Sequence, residues 1–370
     1  MPRRVLPETY PLALVGLDEA RRMQFRLMES VCSHFEGDEL LSSDLGVTPE
    51  MGRPHTTAKV EEVLAHFFAA EGCALVQGAG TGAIRAMLDA SVPAGARILV
   101  HDAPPYSTTR HTFESKGLVP VHADFNNLDE LRVVAQNPEA PEVALVQHSR
   151  QRPEDSYDPA GVVQTLARAG VQVLTDENYT AFKVPRIGVE LGADASAFSM
   201  FKLLGPEGVG CVVGRRDVTS RIRQANYSGG GQVQGHQALD ALRSLLAAPV
   251  LWATQAEVVD EVVSRLEAGE VAGVAGARIA NGQDRMAMIL LDEPIAPQVV
   301  RKSSAFGAQN YPVGANSRYE IAPLFYRLSG SFLEAHAGLT EYAIRVNPVR
   351  AGADLVLSIL KRSIEGARCS

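Results

Sequence analysis

Lys202 stands in the run Ser199-Met-Phe-Lys202-Leu-Leu-Gly205-Pro206-Glu-Gly208-Val-Gly210, an amine inside apolar sequence that is followed at once by a glycine-rich bend. The alternating stretch before it, Ala195 to Phe201, predicts a strand that delivers the amine to a loop where backbone can closely approach a ligand. Such an amine forms a Schiff base with a carbonyl when burial and neighbouring charge keep it neutral part of the time. The plainer alternative is a solvated surface lysine. The flanking Phe201 and Leu203-Leu204 argue against it, because lysine seldom sits in such a run without a partner. Ser199, three residues earlier, is placed to add a hydroxyl contact to a phosphate.

Two upstream segments complete a chemical set. Asp176 opens Asp176-Glu-Asn178-Tyr179 at the end of an expected strand, Val171 to Thr175. Gly78-Ala-Gly80-Thr81-Gly82 lies between a strand and a helix, where backbone N–H groups and the helix dipole favour an anion and Thr81 adds a hydroxyl donor. Pyridoxal phosphate needs three things: a seat for its phosphate, a carboxylate to keep its pyridine nitrogen protonated, and an amine for its aldehyde. The cup at Gly80, Thr81 and Gly82, with Asp176 and Lys202, supplies them. Tyr179 or Asn178 is placed to hydrogen-bond the ring's phenolic oxygen. Each part has a simpler reading. Asp176 could cap the following segment, and the glycines could form a packing turn. Gly78-x-Gly80-x-x-Ala83, with Asp102 near the end of the next strand, also meets the looser dinucleotide fingerprint. That rival leaves Lys202 and Asp176 without a role and puts the fingerprint unusually late in the chain.

Tyr106, in His101-Asp-Ala-Pro-Pro-Tyr106, follows the strand after the cup and could stack on a cofactor ring or be simply half-buried under its prolines. Arg345, in Tyr342-Ala-Ile-Arg345-Val-Asn347, is a candidate two-pronged clamp for a substrate carboxylate, with a surface ion pair as the alternative. Arg150 and Arg152 follow a strand end, where loops face ligands in open α/β sheets; Arg150 is a second substrate-binding candidate, and a solvated loop is equally compatible. The nine histidines show no H-E-x-x-H spacing, the four cysteines no C-x-x-C, and there is no G-x-S-x-G elbow, so neither a metal site nor a serine nucleophile is expected.

The elements that must position these residues follow from the hydropathy pattern. With 370 residues and 46% hydrophobic composition, the chain can bury a large core and is expected to form two domains. A net charge of −8 gives no broad surface for nucleic acid or anionic membrane. The cysteine pattern fits a reducing cytoplasm, and no signal peptide or membrane span is read at the N-terminus. From residue 73, short apolar strands (74–77, 97–101, 118–122, 143–147, 171–175) alternate with helices (83–90, 108–116, 128–136, 161–169), which predicts an α/β fold with a parallel sheet covered on both faces. Residues 208–213 are expected to add a reversed strand after the lysine loop. Helices are expected at 17–35, 58–70, 236–267 and 352–366. The expected organisation is an N-terminal helical segment, 1–45, packing with the small domain, then a large cofactor domain, 46–245, and a smaller C-terminal α/β domain, 246–370.

Together these motifs resemble the fold type I pyridoxal phosphate enzymes, the aspartate aminotransferase superfamily, over nearly the whole chain. More narrowly, Gln77 to Arg85, Val100-His-Asp-Ala-Pro104, Gln147-His148-Ser-Arg150, Phe201 to Gly210, Tyr227-Ser-Gly-Gly-Gly231 and Pro323 to Gly330 resemble the bacterial YhfS-like proteins, an aminotransferase-like branch. The resemblance implies a mostly parallel seven-stranded sheet and pyridoxal phosphate as cofactor. It also implies an amino acid as substrate and a homodimer with sites at the subunit interface, where Gly229 to Gly231 would approach the partner's cofactor. Transamination is the implied chemistry, with β- or γ-elimination or replacement as the alternative. One departure stands out. Many aminotransferases carry a phosphate-gripping arginine several residues after the lysine, and Leu203 to Val213 contains none. The lysine loop is closer to those of the class V and selenocysteine-synthase-like proteins, so the phosphate is expected to depend on the cup, Ser199 and residues of a neighbouring subunit.

Overall fold

The computed structural model describes residues 4–281, 284–314, 316–328 and 336–369. The end of the Pro323 to Gly330 motif, Ser329-Gly330, lies outside them. The chain divides into two compact units, one made of Asp18–Ser149 and Tyr157–Val250, the other of Met1–Leu17, Arg150–Ser156 and Leu251–Ser370.

The larger unit carries α1 (Leu17–His34), α2 (His55–Phe67), β1 (Gly72–Gln77), α3 (Ala79–Ser91), β2 (Arg97–His101), α4 (Ser107–Lys116), β3 (Val119–Ala123), α5 (Leu128–Ala135) and β4 (Val143–Gln147). It continues with α6 (Pro159–Arg168), β5 (Gln172–Asp176), α7 (Gly188–Leu191), β6 (Ala195–Ser199), β7 (Val209–Gly214), α8 (Arg216–Ala225) and the first half of α9 (Gly235–Glu267). Its seven strands form one sheet in the order β1-β7-β6-β5-β4-β2-β3. β2 through β6 pair in parallel, and β7 runs antiparallel to both β6 and β1. This is the mostly parallel sheet with one reversed strand that the pattern predicted.

Side-chain alternation explains why the sheet is covered twice. Ile98 and Val100 of β2, with Leu145 and Leu174, pack on Ala83, Ile84 and Met87 of α3 and on Val218 and Ile222 of α8. The intervening Leu99, Ala144, Val146 and Val173 pack instead on Leu131 of α5 and Val162, Val163 and Leu166 of α6. A strand buried on both faces needs apolar residues at successive positions, hence the continuous runs in the sequence.

The first 45 residues divide between the two units, Met1–Leu17 with the smaller and the rest with the larger. α1 belongs to the larger unit, not the smaller. Its apolar face, Ala20, Met23, Leu27 and Val31, is buried, and Ser30 Oγ donates to Val63 O of α2 at 2.8 Å. Helix α9 reads through Pro249, which lacks an N–H, and the division between the units falls one residue later.

The smaller unit contains the rest of α9, β8 (Val274–Asn281), β9 (Arg285–Leu291), α10 (Ala296–Ser303), β10 (Leu324–Arg327), β11 (Ala343–Asn347) and α12 (Ala353–Arg368). Its four strands make an antiparallel sheet, β10-β11-β9-β8. Ala287, Ile289, Phe325, Ile344 and Val346 bury one face of it against α10 and α12. Among the described residues no helix is long and apolar enough to cross a membrane.

Candidate active site

Because β1, β2, β4, β5 and β6 point the same way, their carboxyl ends emerge on one edge of the sheet, where open α/β sheets bind ligands. A cavity of about 170 Å³ lies there. The start of α3 lines it with Ala79, Gly80, Thr81 and Ile84, and the start of α4 with its N-cap Tyr106 and with Thr108. Gln147 and Ser149 come from the end of β4, Asp176, Asn178 and Tyr179 from the end of β5, and Ser199, Phe201 and Lys202 from the end of β6. Segments far apart in sequence thus meet through strand order alone.

The cup is built by left-handed backbone at Gly78 (φ 96°), which turns β1 directly into α3. The Gly78 and Ala79 amides donate to Gly208 O in the lysine loop at 2.7 and 2.8 Å, and Gly82 N donates to Gly78 O. The first amides of a helix have no intrahelical acceptor. Those of Gly80 and Thr81 take no backbone acceptor among the described residues, and both residues face the cavity. Thr81 Oγ1 lies 3.3 Å from Thr108 Oγ1. Gly82 sits in this turn for a different reason. A Cβ there would fall 2.0 Å from Gln77 O, so the residue allows α3 to pack on the end of β1, and it lines an adjacent groove rather than the cavity.

Asp176 is buried. Its Oδ1 accepts the Asn178 amide at 3.0 Å and Asn178 Nδ2 at 2.7 Å. Burial pushes its carboxyl above the usual range, against the pull of the Asn178 bonds and the Lys202 charge. Asn178 Oδ1 is buried without a hydrogen-bond partner. A Cβ on Gly80 would lie 1.9 Å from that oxygen, so only glycine leaves room for this carboxamide. Lys202 is half-buried on a single 3-10 turn, Phe201–Leu203, just past β6, and its Nζ lies 3.6 Å from the centroid of the Tyr179 ring. Ser199 is fully buried beside it, whereas Tyr106 is 48% exposed at the mouth.

Gly80, Thr81, Tyr106, Asp176, Asn178, Tyr179, Ser199 and Lys202 are therefore brought together, as their types suggested. Arg345 and Arg150 are not among the residues lining the cavity; both belong to the smaller unit. Arg345 is buried on β11, donates through Nε and Nη2 to Arg327 O at 3.1 and 2.9 Å, and stacks over Tyr326. Arg150 donates to Tyr10 O at 2.5 Å and Ser156 O at 3.3 Å. Arg152 uses its amide to bond Asp155 Oδ2 at 2.8 Å. Thr108, Gln147 and Ser149 were not anticipated. Their one signal is position, at or just past the end of β4 for Gln147 and Ser149 and in the first turn of α4 for Thr108.

One amine, one buried carboxylate, an orphaned carboxamide oxygen, two helix-start amides and the hydroxyls of Thr81, Thr108, Ser149 and Ser199 suit a flat nitrogen heterocycle that bears a phosphate and an aldehyde. Such a site on such a sheet defines the class of the fold type I pyridoxal phosphate-dependent enzymes. A family model described as aminotransferase class V matches residues 157–243, and one described as the YhfS-like C-terminal domain matches residues 260–360. The chain is 51% identical over 358 residues to the uncharacterised protein YhfS of Escherichia coli (strain K12), spanning 96% of this chain and 99% of that one. It therefore belongs to the YhfS-like family. The crystal structure of Escherichia coli YhfS, described as a pyridoxal-5'-phosphate dependent protein, superposes with a TM-score of 0.96 over 97% of this chain and 99% of that one, at 51% identity. The methionine gamma lyase CalE6 of Micromonospora echinospora is 17% identical, with a TM-score of 0.71 over 93% and 99% of the two chains, and shares the fold.

Proposed function

We propose that the protein is a pyridoxal phosphate-dependent enzyme that acts on the amino group of an amino acid with aminotransferase-like chemistry, and that Lys202 is the amine that anchors its cofactor. The observation that carries the reading is the convergence of Lys202, Asp176 and the Gly80–Thr81 cup on one cavity. Pyridoxal phosphate, when bound, supplies an aldehyde that captures amines and a ring that draws electrons from the carbon bearing them.

The chain's own residues do the rest. The Gly80 and Thr81 amides, at the positive end of α3, and the hydroxyls of Thr81, Thr108 and Ser199 hold the phosphate. Asp176 holds the proton at the ring nitrogen. The positive charge gained there offsets the burial that raises its own carboxyl. Tyr179 or Asn178 would hydrogen-bond the ring's phenolic oxygen, and Tyr106, at the mouth of the cavity, would cover the ring. Lys202 would also be the group that moves the proton at the substrate's Cα. A homodimer accompanies this reading.

The test is the visible absorption spectrum of the purified protein before and after borohydride, beside Lys202→Ala. A visible band that borohydride abolishes in the wild type, leaving cofactor attached, together with no attachment in the variant, is expected. No band even after added pyridoxal phosphate refutes the reading. Incubation with amino acids and a 2-oxo acid acceptor then separates the branches. Amino transfer to the acceptor supports the aminotransferase reading; release of ammonia without transfer replaces it with a lyase.

A further inference from the structure

A buried pair lies behind the cavity and takes no part in the roles above. His148 directly follows β4 and Glu177 directly follows β5, two neighbouring parallel strands in which Gln147 lies opposite Asp176. Side chains alternate at these strand ends. Gln147, Ser149, Asp176 and Asn178 line the cavity, and the residues between them, His148 and Glu177, do not. They meet each other instead, with His148 Nδ1 2.8 Å from Glu177 Oε2. Both are buried, at 5% and 0% exposure.

Glu177 is held from several sides. Its Oε1 accepts the Gly188 amide of α7 at 2.7 Å, and its Oε2 also accepts the Thr180 hydroxyl. Burial alone would push its carboxyl up, but His148 and these bonds outweigh burial and hold it below the usual range, so it stays ionised. The main chain ties in the neighbouring strands. His148 N donates to Asp176 O at 3.2 Å, and Glu177 N to Ala197 O of β6 at 2.8 Å.

A buried carboxylate beside a buried imidazole is a poor source of net stability, because desolvation offsets most of the attraction and an apolar pair fills the same space at no such cost. What it adds is a fixed distance and direction between two strand ends. We infer that His148 and Glu177 form a positioning pair, which locks the carboxyl ends of β4 and β5 so that Gln147 and Ser149 on one strand and Asp176 and Asn178 on the other meet the cofactor in register. The inference rests on the pyridoxal phosphate reading.

Titration of pyridoxal phosphate into the cofactor-free wild type, His148→Gln, Glu177→Gln and the double variant tests it, read by visible absorption and circular dichroism, with the melting temperature of each cofactor-free protein measured alongside. Each single variant is expected to lose about tenfold in cofactor affinity and to change the dichroic band. The double variant is expected to lose no more than the worse single, the signature of two groups acting as one unit. If a single variant leaves a buried polar group that prevents folding, the double variant, which replaces both partners, carries the test. Variants that melt lower but bind within twofold of wild type with an unchanged band overturn the inference and leave the pair a packing feature. No uptake by the wild type refutes the cofactor reading itself, and this inference with it.

Discussion

Gly80→Ala is the most revealing single change, because its effect on helix propensity and its effect on the site have opposite signs. The glycine sits in the first turn of α3 with ordinary backbone dihedrals, so alanine is conformationally allowed and should favour the helix by about 0.8–1 kcal/mol. The added Cβ, however, would lie 1.9 Å from Asn178 Oδ1 and 2.7 Å from its Cγ. A side-chain amide can swing away where backbone cannot, so the fold survives and Asn178 moves. Moving it breaks the 2.7 Å bond from Nδ2 to Asp176 Oδ1. A hydrogen bond to a charged group contributes about 1.5–3 kcal/mol, and Asp176 carries its full charge when it faces a protonated ring nitrogen, so the variant should bind pyridoxal phosphate roughly 10- to 100-fold more weakly, while the helical gain offsets only part of the lost bond in the cofactor-free form, which should melt slightly below the wild type. Equilibrium titration followed by absorbance, with thermal melts of the same samples, reads both. Adding Asn178→Ala to Gly80→Ala removes the clash, so the double variant should bind no worse than Asn178→Ala alone. Wild-type cofactor affinity in Gly80→Ala would refute the reasoning. Gly82→Ala is the contrast. Its Cβ would meet the Gln77 carbonyl at 2.0 Å, and because that oxygen is backbone, the expected outcome is a misfolded strand-to-helix turn.

Two further changes separate the roles assigned to the cavity. Ser199→Ala removes a buried hydroxyl and should weaken pyridoxal phosphate binding by about 1 kcal/mol, roughly fivefold, while leaving the affinity for phosphate-free pyridoxal unchanged; equal losses for both ligands would show that Ser199 does not hold the phosphate. Asp176→Asn should stabilise the cofactor-free protein at neutral pH and weaken cofactor binding. Burial raises the folded-state value of Asp176 above its unfolded one, so the folded chain binds the extra proton and its stability falls as pH rises from the ordinary carboxylate range through the raised folded value. The variant lacks that slope, and melting curves between pH about 4 and about 8 compare the two. A wild type that gains stability over the window relative to the variant would contradict the assignment.

The hydropathy pattern located the sheet well because its strands are buried on both faces. β2 and β4 begin and end where their apolar runs do, at Arg97–His101 and Val143–Gln147. Errors fall where local composition and tertiary role diverge. The expected helix from Ala83 begins at Ala79, since the cup glycines read as loop but form the first turn. The strand expected to run to Phe201 ends at Ser199, and Lys202 occupies the turn just past it. Arg150 was placed with the ligand-facing loops because it follows β4. The chain leaves the larger unit after Ser149, and the arginine spends two of its donors on carbonyls of the smaller one. The cup, Asp176 and Lys202 were legible because each has its own local signature. Thr108, Ser149 and the His148–Glu177 pair were not, because their proximity is created by the register of β4 on β5 and the placement of the start of α4, which no spacing along the chain encodes.

The missing arginine now has a structural meaning. Among the residues lining the cavity, Lys202 is the sole cation, and its amine is committed to the aldehyde end of the cofactor in the proposed reading. The donors that remain for the phosphate are the amides at the start of α3 and neutral hydroxyls. A helix N-terminus offers the equivalent of about half a positive charge, and a phosphate monoester carries nearly two negative ones. Hydrogen bonds can orient the group and satisfy its oxygens, but they do not neutralise it. The cavity of one chain is therefore well made for geometry and short of charge. That imbalance is the physical argument for the homodimer we propose: a cation from a second copy would supply what the lysine loop of this chain leaves out.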